Sequence, residues 1–186
     1  MKDMDTNILE RRLKALVRLD ELMTPPEMEY LRFATSGMDH DCRWYILDNG
    51  SGDHLTVLFT ETGVLVKGFD HENGSNQFAA EEWNDSFFET MFKGMPESLF
   101  HLMTKDERNE TTFCMWYLNS DSKWYQNEEP DNDGGKSNLL GYIPQSAESF
   151  GEWVAKYYEQ DFDSAVIAKL FENRELTEEE IAAIAK

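Results

Sequence analysis

Three of the four histidines in this 186-residue chain directly follow an aspartate, as Asp39-His40, Asp53-His54 and Asp70-His71. A carboxylate next to an imidazole can orient the ring, fix which nitrogen carries the proton, or share a cation with it. Two of the pairs sit in the strings LDNGSGDHL and VKGFDHE, at the ends of short apolar runs. If those runs are neighbouring strands, Asp48, Asp53, His54, Asp70 and His71 converge at one sheet edge, with Glu72 beside them. Facing residues on antiparallel strands have Cβ atoms about 4.5–5.5 Å apart, close enough for a carboxylate to hold an imidazole or for both to bind one ion. These five residues are therefore candidate ligand-binding groups. Aspartates that cap turn amides account for the same pattern without a ligand. Helical HExxH and paired-cysteine spacings are missing, so no metal ligands and no cofactor are assigned.

Other chemistries find less support. Ser51 lies between adjacent glycines in a loop joining two strands, whereas a nucleophile elbow joins strand to helix and spaces its glycines two residues either side. Cys42 and Cys114 are far apart and sit in strand-like runs, and are expected to be free buried thiols. Glu128, Glu129, Asp131 and Asp133 cluster around Pro130. They lack the third acid, the glycine and the final glutamate of a calcium-binding helix–loop–helix, so they read as an exposed loop able to meet a basic partner.

The elements that must position these residues follow from periodicity. Apolar residues at helical spacing predict a helix over 6–23, stopped by Thr24-Pro25-Pro26, and a second short helix over 27–33. Ser36-Gly37 reads as a turn. Three aromatic and β-branched runs, 42–48, 54–60 and 64–69, predict a meander. A three-residue turn, Glu61-Thr62-Gly63, would set Thr60 opposite Val64 and His54 opposite Asp70. Both faces of that hairpin are apolar, so its strands should be central. Helices follow over 81–92 and 96–103, then a charged linker, a strand over 111–118 turning back at Trp124-Tyr125, an irregular stretch to 138, and a last strand over 139–143. Ser146 should cap the next helix, with two more at 162–171 and 178–185, the last through a Thr177/Glu180 capping box. The fold class is α+β: an antiparallel sheet built on the 42–69 meander with strands near 111–125 and 139–143. We read a single domain, with helical segments at 1–35 and 145–186.

The formal charge is −20 at pH 7. Residues 1–20 carry five basic and four acidic side chains, so the remainder is acidic throughout. Such a field disfavours nucleic acid and anionic membrane and favours a basic protein partner, although acidity also serves solubility. Neither a signal-like stretch nor a membrane span is recognised, and with two unpaired cysteines a cytoplasmic location is expected.

The ordered set LDNGSGDHL, VKGFDHE, FCMW, LLGYI and a tryptophan-bearing helix ending in Tyr157-Tyr158-Glu159 resembles a family of uncharacterised bacterial cytoplasmic proteins, over about residues 40–186. That resemblance implies no catalytic activity and transfers no site. In acidity, size and α+β make-up the chain is also similar to the immunity proteins of toxin systems. The expected function is a non-enzymatic protein-binding module, in its narrower form an immunity-type inhibitor of a basic partner. The alternative is a small-ligand or metal-binding protein that uses the His54/Asp70 edge.

Overall fold

The computed structural model describes residues 4–127 and 132–184. They form two compact units: residues 36–127 with 132–140, built on a sheet, and residues 4–35 together with 141–184, built of helices.

The sheet has six strands in sequence order, β1 (Ala34–Asp39), β2 (Cys42–Asp48), β3 (His54–Phe59), β4 (Gly63–Phe69), β5 (Phe113–Leu118) and β6 (Lys123–Gln126). From β2 onward each pairs antiparallel with the next. The expected α+β class is therefore what the chain adopts. Residues 63–68 of β4 are buried without alternation, as two covered faces require. On one face Leu65, Cys114 and Trp116 pack with Phe87 and Met91 of α2 (Asp85–Met91), Leu99 of α3 (Glu97–Phe100), Phe92 and Met103. Leu47, Leu55, Val57, Val66 and Met115 are buried on the opposite face.

Three sheet expectations are corrected, the third of them, a strand over 139–143, with the helices below. The β3–β4 register is one residue tighter than predicted: Phe59 faces Val64, and His54 faces Phe69 rather than Asp70. Gly63 is not a left-handed turn residue. It pairs with Leu118, and a Cβ there would collide with the carbonyl oxygen of Tyr117, so glycine serves the close approach of β5. Thr60 closes the turn instead, its hydroxyl donating to the Gly63 carbonyl at 3.1 Å and accepting the Gly63 amide at 3.3 Å. The second correction concerns Ser36-Gly37, which lies inside β1. Glycine there leaves room for the Trp44 indole, which a Cβ would strike.

Helical expectations differ mainly at their ends. α1 (Thr6–Met23) keeps its predicted limits, capped by Asp5, and residues Pro26–Leu31 form a 3-10 helix. α2 begins at Asp85 because the Asn84 side chain caps it, so Trp83 stands outside the helix. The charged linker holds α4 (Lys105–Asn109), fixed by a Thr104/Glu107 capping box. No strand forms over 139–143; residues Lys136–Leu140 are α5, started by the Asp133 carboxylate, which accepts the Gly135 and Ser137 amides at 3.0 Å each. In the helical unit α6 (Ala147–Tyr157), α7 (Ser164–Phe171) and α8 (Glu178–Ile184) carry the buried Phe150, Val154, Leu170 and Ile184. Ser146 caps α6, and the Thr177/Glu180 box is present in both directions. Asp20, on the apolar stripe of α1, is buried and accepts the Ala34 amide at 2.9 Å and the Tyr158 hydroxyl.

Candidate functional site

The Asp-His edge is assembled, but with different partners from those predicted. Asp53 is only 8% exposed. Its Oδ1 accepts both the His71 amide at 2.9 Å and His71 Nδ1 at 2.7 Å, while Oδ2 accepts the Asn49 amide group at 2.9 Å. Burial pushes the Asp53 carboxyl up, but those three hydrogen bonds outweigh it and hold the group below its ordinary value. The same hydrogen bond raises His71. Asp53 and His71 thus clamp the β2–β3 loop to the exit of β4.

His54 stands apart from that clamp. It lies across β2–β3 from Asp48 and tilts against Phe69 with ring centroids 5.5 Å apart. Burial, reinforced by the Lys67 charge, lowers its pKa, so the ring is neutral at pH 7. Asp48 and Asp70 do turn chemistry, accepting the Gly50 amide at 2.8 Å and the Glu72 amide at 3.2 Å. The facing His54/Asp70 pair does not exist. Among the described residues no three His, Cys, Asp or Glu side chains are grouped to hold a metal ion. Of the acidic-loop candidates, Asp133 caps α5 as described, and Glu128, Glu129 and Asp131 lie outside the described residues.

A larger feature lies at the other end of the meander. The uncovered part of the helix-bearing face is an open groove of about 670 Å³, bounded by the β1–β2 turn, the β3–β4 turn and α3–α4. Volumes of roughly 300–1,000 Å³ are typical of binding clefts. Its apolar lining is Trp44, Ile46, Leu58 and Leu102. Strand register explains that floor: Trp44 faces Leu58 and Ile46 faces Thr56, so alternate residues of β2 and β3 share this face. Its polar lining includes Asp39, Asp41, Glu61 and Glu107, and among the described residues no lysine or arginine. His40 adds to the rim, its Nδ1 lying 2.7 Å from Asp39 Oδ1, and His101 and Cys42 line the wall.

Two supports shape the groove. Gly37 lets the Trp44 ring lie close to the β1 backbone. Lys67, buried in β4, donates from Nζ to the Glu107 carbonyl at 3.1 Å and so ties α4 to the sheet. Burial lowers the Lys67 pKa, with the acidic side chains of Glu107 and Glu110 working against it. Cys42, expected to be buried, is half-exposed because it opens β2 beside the turn, whereas Cys114 is buried and its thiol pushed far up by burial. Both are free.

Sequence reasoning missed this groove. Asp39-His40 reads as preceding the first strand, whereas Asp39 ends β1 and His40, at a positive φ, forms with Asp41 the two-residue turn into β2. The missing signal was the strand character of residues 34–39. Comparison with known protein families, curated proteins and solved structures found no match.

Proposed function

We propose that this chain is a non-enzymatic binding module that receives a basic segment of another protein in the Trp44 groove. The observation that carries this reading is the lining itself, an apolar floor ringed by Asp39, Asp41, Glu61 and Glu107, with no lysine or arginine lining it among the described residues. An extended chain suits an open trough better than a small molecule, which favours enclosure. Lysine or arginine side chains would meet the rim carboxylates while their methylene stems cover Trp44 and Leu58. The net charge of −20 would speed encounter with such a partner.

An immunity-type inhibitor is the narrower form of the proposal, in which the basic segment borders a toxin's active site. Free cysteines suit a reducing cytoplasm. Among the described residues no helix is long and apolar enough to cross a membrane.

Titration of the isotope-labelled chain with a blocked oligolysine peptide tests the groove. Saturable shifts of the Trp44 indole and of residues around Asp41 are expected, lost in an Asp41→Lys/Glu61→Lys double variant that keeps its fold. Shifts scattered over the whole acidic surface and insensitive to that variant would sink the groove reading. Co-expression with the toxin-like product of a neighbouring gene tests the inhibitor form, which fails if growth is not rescued.

A further inference from the structure

A separate part of the sheet unit presents aromatic rings to solvent in an unbroken ladder. Phe69 meets Phe78 at 6.3 Å, Phe78 meets Trp83 edge-on at 5.5 Å, and Trp83 stacks on Phe88 at 5.4 Å with 29° between the planes. Phe78 is 59% and Trp83 42% exposed, although neither ring gains by facing water. The rings are not loosely held. The Trp83 indole N–H donates to Asp85 Oδ1 at 2.8 Å, the Asn84 amide to Gln77 Oε1 at 3.0 Å, and the Phe78 amide to Asn76 Oδ1 at 3.0 Å. The loop is fixed with its rings outward before anything binds, which removes the ordering cost from association.

The surrounding charge selects the occupant. Residues 70–92 contain Asp70, Glu72, Glu81, Glu82, Asp85 and Glu89, and no lysine or arginine. An aromatic face attracts a cation through its quadrupole, and arginine, being planar and weakly hydrated, also stacks on it. Where the chain does place its own guanidinium groups against rings, they are Arg43 at Phe59 and Arg108 at Phe100, neither on this ladder. We propose that the Phe78–Trp83 ladder is a docking site for an arginine-bearing segment of a protein partner, with the guanidinium stacked on an exposed ring and paired to the carboxylates beside it. An anionic lipid surface is disfavoured by the same six acids.

This site shares no lining residue with the Trp44 groove, so either can stand without the other. The test titrates the full labelled chain with three blocked hexapeptides in which glycine alternates with arginine, lysine or glutamate, following the Trp83 indole resonance. The arginine peptide should shift that resonance saturably and more tightly than the lysine peptide, and the glutamate peptide should leave it unmoved. Trp83→Ala and Phe78→Ala should each weaken arginine-peptide binding at least about fivefold. Glu81→Gln/Glu82→Gln should weaken it at low salt without touching the rings. The Asp41→Lys/Glu61→Lys variant should leave the Trp83 response intact, which separates this site from the groove. Equal response to the glutamate peptide, or full arginine-peptide affinity in folded Trp83→Ala and Phe78→Ala, would overturn the proposal; so would binding confined to neutral lipid vesicles.

Discussion

His71 and His54 lie at the same end of the sheet, yet their surroundings push them in opposite directions. His71 is raised by its hydrogen bond to Asp53. Its contribution to stability is complete below the free imidazole value near 6.5 and fades as pH rises through the higher folded value. His54 is lowered by burial. Its contribution is complete above about 6.5 and is lost as pH falls through the lower folded value. Titration by NMR should therefore place His71 above and His54 below about 6.5. The melting-temperature advantage of the native chain over His71→Ala should shrink as pH rises above about 6.5; a constant difference would refute the side-chain part of the clamp. Lys67 allows a second residue-scale prediction. The Glu107 carbonyl also accepts the Thr111 hydroxyl at 2.8 Å, so losing the ammonium does not leave it unpaired. Lys67→Met should cost under about 1 kcal/mol in urea unfolding, because the stem volume is kept. Lys67→Ala should cost roughly 2–4 kcal/mol through the cavity it opens.

At the scale of elements, the groove depends on one strand and one short helix. β1 supplies Gly37 beneath Trp44, and any side chain there must displace the indole. Gly37→Val should cost about 1–3 kcal/mol and move the Trp44 indole resonance, with the Asp53–His71 clamp unaffected. α4 spans only five residues and is held by its capping box, in which Thr104 accepts the Glu107 amide at 3.2 Å and the Glu107 carboxylate accepts the Thr104 amide at 2.7 Å. Thr104→Ala should cost about 1 kcal/mol and raise amide exchange across α4. Unchanged exchange there would mean that Lys67 alone holds the helix.

For the whole molecule the dominant quantity is the charge of −20. Like charges on a compact surface repel, and salt screens them over a Debye length of about 10 Å at 0.1 M. The melting temperature should therefore rise from about 10 mM to 0.5 M sodium chloride, and affinity for a basic peptide should fall over the same range. If the melting temperature falls instead, attractive ion pairs such as Lys169–Glu180 outweigh the repulsion.

What the sequence determined by itself was local. Helical period and caps placed α1, α6 and the Thr177/Glu180 start of α8, since those hydrogen bonds span three or four residues. The meander 42–69 was equally legible from its β-branched and aromatic runs. The register was not, because Gly63 looks like a turn glycine and only the approach of β5, some fifty residues later, explains it. That single step decided that Asp53 holds His71 and that His54 meets Phe69. β1 was hidden for a similar reason: Gly37 weakens strand character in isolation and makes sense only under Trp44. Backbone periodicity is written along the chain, whereas the choice of which carboxylates, rings and cations share a surface is made by strand pairing, and that choice belongs to the tertiary structure.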